Sequence, residues 1–151
     1  MTVTERLAEL GITLPAVVAP VAAYVPAVRT GDLVYTAGQL PFVDGALPRT
    51  GRLGADVSVE QARPLARQCA LNALAAAADL VGLDRITRVV KVVGFVASAE
   101  GFTQQSAVIN GASEVLVEIF GPAGRHARSA VGVAELPMGT PVEVEIIVEV
   151  G

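Results

Sequence analysis

The chain has 151 residues and a formal net charge of −4, with 52% of its residues apolar and only 17% charged. That length predicts one domain over residues 1–151, and the apolar surplus predicts that part of its surface is buried against other copies of the chain. No apolar run reaches the ~18 residues of a membrane span. No Lys/Arg cluster is present to bind nucleic acid.

The first residues predict neither a secretory signal nor a transit peptide. Glu5 and Glu9 stand where a signal peptide would carry a basic segment and then an apolar one. The single cysteine, Cys69, has no partner for an internal disulfide, which is typical of a reducing compartment. We therefore expect a cytoplasmic protein in which Cys69 is a small core residue of a helix.

The N-terminal third predicts a short helix followed by strands. Capping-box spacing predicts a helix from Thr2 to Leu10. Prolines then forbid a long helix and leave an extended segment near Val21–Val25. After a turn at residues 29–32, Leu33–Leu40 has the composition of a strand. Asp44 and Gly45 predict a hairpin turn.

The remaining two thirds alternate helices and strands. A capping box at Ser58 predicts a helix that ends at Gly82, and a second helix is predicted from Ser106 to Phe120. Between them lies a strand centred on residues 89–96, and two more strands follow at 128–136 and 142–150. This order predicts an α/β sandwich: two helices on one face of a mixed six-stranded sheet.

The second face of that sheet also needs a cover. The strand at 89–96 is apolar at almost every position, as in strands buried on both faces. Ile147 interrupts a row of glutamates on the last strand. Because two helices cover only one face, we expect another copy of the same sheet to cover the other.

Two residues are candidates for chemistry. The guanidinium of Arg128, at the start of a strand, suits bidentate binding of a carboxylate, although a solvated strand-end arginine is the alternative. Glu143 is a candidate to hold a water and accept its proton if it is partly desolvated, although a solvent-facing strand is the alternative. In a simple hairpin of the last two strands they would lie about 20 Å apart. A joint site then requires two chains, unless these strands pair differently.

Other chemistries have little support in the sequence. His126 is the only histidine, and no carboxylate or cysteine stands at metal-ligand spacing from it. We therefore predict no metal. No nucleophile-elbow, phosphate-loop or dinucleotide motif is present, so we predict no cofactor. A ligand-orienting or interface role for His126 stays open beside the more common one of a plain turn residue.

Three segments resemble a known family. "YVPAVRTGDLVYTAGQLP", "INGASEVL" and "RHARSAVGVAELPMGTPVEVE" resemble the RidA or YjgF family of reactive-intermediate deaminases, also called endoribonuclease L-PSP-like proteins. The resemblance runs from about Ala19 to Val150, and the N-terminal helix and the longer loop at 99–107 resemble the less characterised branch. It implies a chorismate-mutase-like fold, a homotrimer and clefts between subunits.

The resemblance also implies roles for particular residues. Arg128 matches the arginine that grips the substrate carboxylate, and Glu143 the glutamate that positions the attacking water. Tyr24 matches a tyrosine that lines the cleft, Gly38 a backbone contact to the carboxylate, and Asn110 a polar residue at the cleft. The implied reaction is hydrolysis of enamine or imine intermediates to a keto acid and ammonia.

Two positions depart from the deaminating members. Ala37 stands where they have a serine, and Ala130 where they commonly have a cysteine. Both departures favour an alternative, a non-catalytic module that binds a small carboxylate or an amino-acid derivative in the same clefts. A ribonuclease role has only the family's older name behind it, because the chain is acidic and lacks a basic patch.

Overall fold

A computed structural model describes residues 1–17, 20 and 22–151. The described residues form three α-helices and five β-strands. The helices are α1 (Val3–Leu10), α2 (Val59–Val81) and α3 (Gln105–Phe120). The strands are β1 (Ala27–Thr30), β2 (Leu33–Thr36), β3 (Ile86–Ala97), β4 (Ala127–Val133) and β5 (Val142–Val150).

The helices begin and end close to where the sequence predicts. Thr2 caps α1 and Ser58 caps α2, each in a reciprocal capping box with the residue three positions on. Gly11 ends α1 in the left-handed conformation at φ 69°, which a residue without a β-carbon adopts at little cost. Pro64 lies inside α2 without ending it. The predicted helix boundaries are therefore confirmed to within about a residue.

The strands before α2 differ from the prediction. Residues 22–24 form bends and Val25 is irregular, so none of them is in a strand, and Val21 lies outside the described residues. The first strand is β1, and β2 ends four residues before the predicted Leu40. The hairpin turn at Asp44 and Gly45 forms, but a single bridge between Val43 and Ala46 closes it. The sheet therefore has five strands where six were predicted.

The sheet is mixed, in the order β1-β2-β5-β3-β4. β4 pairs with β3 in parallel, and β5 pairs antiparallel with β3 on its other side. The prediction of a hairpin between β4 and β5 is therefore wrong. The chain crosses from β3 to β4 through α3, as a parallel pair requires, and β5 returns on the far side of β3.

One face of the sheet carries the core, and we call it the helix face. β5 alternates strictly there, with its even-numbered residues from 142 to 150 at 2% exposure or less. Helices α2 and α3 cover this face and lie against each other. A β-carbon at Gly111 would collide with the carbonyl of Arg63, so the two helix backbones are in direct contact. Cys69 is fully buried in this core, as predicted.

We call the other side the open face, since no helix covers it. It carries residues opposite in register to the core set, and several large apolar ones are exposed: Val28 at 53%, Tyr35 at 44% and Val131 at 43%. Ile147 and Phe95 are half-buried beside them. The predicted uncovered second face is therefore present in the single chain.

Candidate active site

The Arg128 side chain is held by two residues of α3. Arg128 pairs with Val92 in the parallel β3–β4 ladder, which directs its side chain to the helix face. Its Nη1 donates to Asn110 Oδ1 at 2.8 Å and to Ser113 Oγ at 3.2 Å. Asn110 and Ser113 are three residues apart and so lie on one side of the helix. Arg128 and Asn110, which the sequence names separately as site residues, are therefore in direct contact.

His126 extends this network. Its Nε2 lies 2.9 Å from Ser113 Oγ, and its Nδ1 lies 2.6 Å from the carbonyl oxygen of Gly124. Gly124 itself is buried, and a β-carbon there would come within 2.9 Å of Val117 Cα. The missing side chain lets the turn after α3 fold back onto the helix. His126 is therefore not a plain turn residue: it bonds to α3 immediately before β4.

Glu143 lies on the open face, away from Arg128. It pairs with Phe95 of β3, and its side chain is half-buried. A β-carbon at Gly38 would lie 2.9 Å from its carboxyl carbon, so a side chain there would displace this carboxylate from its position. Burial, and then the charge of Glu145, raise the pKa of Glu143 above the ordinary glutamate value. The sequence expectation of a partly desolvated glutamate agrees with this geometry.

A β-bulge places Gly38 beside Glu143. β2 pairs with β5 as far as Tyr35 opposite Ile147, but Gln39 then bridges Val144, which leaves one extra residue in the β2 chain. The Thr36 side chain satisfies a backbone donor at the bulge, because its Oγ1 accepts a hydrogen bond from the Ile146 N–H at 3.0 Å.

The loop after the bulge is held by α2. Asn72 Nδ2 donates to the carbonyl oxygens of Leu40 at 2.8 Å and Phe42 at 3.2 Å. The position of Gly38 therefore depends on contacts made well outside its own strand.

Arg128 and Glu143 do not meet within one chain. They lie on opposite faces of the same sheet, with β3 between their strands. The predicted separation came from a hairpin that does not form. The conclusion drawn from it stands for a different reason, because a β-sheet places its two sets of side chains on opposite sides.

The other predicted site residues are spread around these two. Tyr24 is 57% exposed in the bend before β1, and none of the described residues hydrogen-bonds to its hydroxyl. Ala37 lies in the bulge and is half-buried. Ala130 follows Arg128 on the helix face of β4 and packs against the core. Within one chain, the structure groups Arg128 with Asn110, and Glu143 with Gly38.

Two hollows of the described chain lie elsewhere. One of about 470 Å³ is bordered by the start of α2 and Phe102, and another of about 300 Å³ by Arg52, Glu135 and Met138. Neither is lined by Arg128 or Glu143. Among the described residues, no group of three His, Cys, Asp or Glu side chains is placed to hold a metal ion. None of the described helices is both long and apolar enough to cross a membrane.

Sequence reasoning missed Ser113, Gly124 and Thr36, and left the role of His126 open. A signal for Ser113 was available, because Asn110 and Ser113 are polar at helical spacing beside an apolar stripe. No comparable signal existed for Thr36, because its role depends on a bulge that only the strand pairing reveals.

Known proteins are similar to this chain along almost its whole length. The sequence model of the endoribonuclease L-PSP family matches residues 14–150. Protein TCP17 of Trypanosoma cruzi is 47% identical over 149 residues, which cover 97% of this chain and 93% of that protein. The 2-iminobutanoate/2-iminopropanoate deaminase of Escherichia coli K12 is 33% identical over 133 residues, covering 88% of this chain and 89% of the enzyme.

A crystal structure shares the fold. Atu1372, a protein of unknown function from Agrobacterium tumefaciens, is 45% identical with a TM-score of 0.90, covering 99% of this chain and 92% of that one. The class is thus an α+β sandwich with a mixed sheet. Within that class, the chain belongs to the endoribonuclease L-PSP family, the RidA/YjgF family that its sequence resembles.

Proposed function

We propose that the protein hydrolyses reactive enamine or imine intermediates of small carboxylic acids in clefts between its subunits. The observation that carries this proposal is the hydrogen bonding of the Arg128 guanidinium. Both hydrogens of its Nη1 are bound by the protein, and within the described residues its Nε and Nη2 have no hydrogen-bond partner. That pair forms the side-on edge of the guanidinium, which matches the two oxygens of a carboxylate.

Glu143 supplies the second function. Its raised pKa makes its carboxylate a stronger base than an exposed glutamate, so it is suited to take a proton from a bound water. The water oxygen attacks the imine carbon, and the C=N π-electrons move to nitrogen. The nitrogen takes up that proton from Glu143, which gives a neutral carbinolamine. Transfer of the hydroxyl proton to the nitrogen then lets the C–N bond break as C=O forms, which releases ammonia and the keto acid. An enamine first takes a proton on carbon and loses one from nitrogen to become the imine.

The assembly is part of the proposal, because one chain separates the two residues. Copies of the chain that pack open face to open face would bury Val28, Tyr35 and Val131 and bring Glu143 of one subunit toward another subunit. A homotrimer provides three such seams, with the same pair of surfaces meeting at each. The chain with 33% identity from Escherichia coli is named as a 2-iminobutanoate/2-iminopropanoate deaminase.

A second candidate function is a binding module without catalysis. The specific observation in its favour is the pair Ala37 and Ala130, which offer no side-chain hydrogen bond where the deaminating members carry serine and commonly cysteine. In that case Arg128 still anchors a carboxylate, and Glu143 serves only to shape the cleft. The protein would then bind a small keto acid but would not hydrolyse an imine.

The activity is tested with an imine generated in place by an amino-acid oxidase, following release of the keto acid. Wild-type protein should accelerate release over buffer. Arg128→Ala should lose both catalysis and binding of 2-oxobutanoate, whereas Glu143→Gln should lose catalysis and keep binding. If the protein binds 2-oxobutanoate but accelerates keto-acid release from none of the amino acids tried, the second function is supported and the first is rejected.

A mixing experiment tests whether the site is shared between chains. Arg128→Ala and Glu143→Gln chains are each inactive alone, but a shared cleft is intact when its arginine comes from one variant and its glutamate from the other. Random reassembly at equal amounts should restore roughly a quarter of wild-type activity, being one half times one half. No recovery in mixed assemblies would mean that both residues come from the same chain. Sedimentation of a monomer would reject the assembly.

A further inference from the structure

We propose that His126 and Ser113 are positioning residues that hold the Arg128 guanidinium so that its side-on edge faces a carboxylate. The inference deepens the proposed function and rests on it. It assigns a role to two residues at a distance from the bound acid, acting through Arg128 rather than on the reacting atoms.

With the His126 ring neutral, the hydrogen-bond network has one consistent direction. A carbonyl oxygen only accepts, so the 2.6 Å contact at Gly124 requires the hydrogen on Nδ1 of His126. In the neutral ring Nε2 is then an acceptor, and the Ser113 hydroxyl donates to it at 2.9 Å. The Ser113 oxygen is left with lone pairs, and one of them accepts from Arg128.

The direction matters because it leaves two acceptors toward the guanidinium. Nη1 of Arg128 carries two hydrogens, one for Ser113 Oγ and one for Asn110 Oδ1. With both hydrogens bound, rotation about the Cζ–Nη1 bond is hindered and the plane of the guanidinium is fixed. A preorganised fork loses less entropy when it binds a carboxylate than one that must first be ordered.

The fold builds this arrangement from two separate elements. Ser113 is on α3, whereas Arg128 is on β4, and the buried turn at Gly124 brings His126 against the helix. Gly124 thus has two roles, since its carbonyl anchors the ring and its lack of a β-carbon allows the close turn. An arginine that only needed solvation at a strand end would not require these contacts.

Substitutions at Ser113 and His126 separate positioning from folding. Ser113→Ala removes the acceptor, whereas Ser113→Thr keeps a hydroxyl. His126→Leu removes the ring nitrogens, whereas His126→Gln keeps an acceptor that reaches Ser113. Ser106→Ala, at an exposed position on the same helix, is the matched control. All are made in the full chain.

The first readout is nitrogen NMR of the arginine side chains without ligand, with Arg128→Lys to assign the signal. Wild type should show slow rotation of the Arg128 Nη1 group. Ser113→Ala and His126→Leu should make this rotation fast, whereas Ser113→Thr and His126→Gln should keep it slow. Slow rotation in both disruptive variants would overturn the inference, even if those variants are less stable.

The second readout is calorimetric binding of 2-oxobutanoate to the same samples. Ser113→Ala should weaken binding about tenfold, the size of one hydrogen bond to a charged group. Ser106→Ala should bind as wild type does. If wild type binds no keto acid while the NMR pattern holds, the carboxylate ligand and the proposed function are rejected. The positioning of Arg128 by Ser113 and His126 then still stands. Unchanged binding in Ser113→Ala would reject its positioning role.

Discussion

The two faces of the sheet differ in how completely one chain satisfies them. On the helix face, β5 presents only valine and isoleucine to α2 and α3, and all of it is buried. On the open face, the same strand presents glutamates and Ile147 beside the exposed Tyr35 of β2. One strand thus contributes to a finished core and to an unfinished surface through a period of two residues.

The difference between the faces also divides the chemistry. Arg128 is on the helix face at the edge of the sheet, where helix side chains fix its position. Glu143 is on the open face, where burial and then the charge of Glu145 raise its pKa. A single chain therefore positions each residue separately and does not bring the two together.

The largest effect should separate two adjacent isoleucines of β5. Ile146 is 1% exposed on the helix face, and Ile147 is half-buried on the open face. Ile146→Ala should lower the free energy of unfolding by about 2–5 kcal/mol at every protein concentration, because it leaves a cavity in the core. The Ile147→Ala loss should depend on protein concentration, since it weakens association. Denaturant unfolding at several concentrations, with sedimentation, distinguishes them.

A change at the bulge between β2 and β5 should give the next largest loss of stability. Thr36→Val keeps the side-chain shape but leaves the Ile146 N–H without an acceptor, which costs about 1–3 kcal/mol. Thr36→Ser retains the hydroxyl and is the matched control. The Ile146 amide should exchange faster with solvent in the valine variant only. Equal exchange in both variants would show that Thr36 does not hold the bulge.

A smaller effect concerns the pH dependence of the open face. A carboxyl group whose pKa is raised in the folded state contributes most stability below its unfolded pKa, and loses that contribution as the pH rises through the folded value. Glu143→Gln should therefore be more stable than wild type at neutral pH. Its stability should also vary less with pH between the unfolded and folded pKa values of Glu143. Glu149→Gln, exposed on the same strand, is the control. Parallel stability curves for Glu143→Gln and wild type would contradict the expectation.

The smallest effect should lie outside both faces, at the start of α1. The backbone and hydroxyl of Thr4 each donate to Asp84 Oδ1 at 2.8 Å, and these bonds lower the pKa of that carboxyl. A lowered folded pKa stabilises above the unfolded value, and the gain is lost as the pH falls through the folded one. Asp84→Asn should therefore speed amide exchange in α1 at neutral pH, and the difference should vanish in acid.

Much of the fold follows from local signals. Ser58 and Gln61 determine where α2 begins, because the capping bonds are made within four residues. The hairpin prediction failed because strand partners are chosen by the whole sheet, and no local feature of β4 or β5 reports that β3 lies between them. The same limit hid the bulge at Thr36 and the meeting of His126 with α3.

The sequence by itself determined the helices, the strands that follow α2, the uncovered apolar surface and the identity of the candidate pair Arg128 and Glu143. Capping, periodicity and composition act over a few residues, so the sequence expresses them directly. Only the tertiary structure decided that Arg128 joins Asn110, Ser113 and His126 while Glu143 joins Gly38 on the opposite face. Those contacts depend on strand order and on the close turn at Gly124, which arise when distant segments pack together.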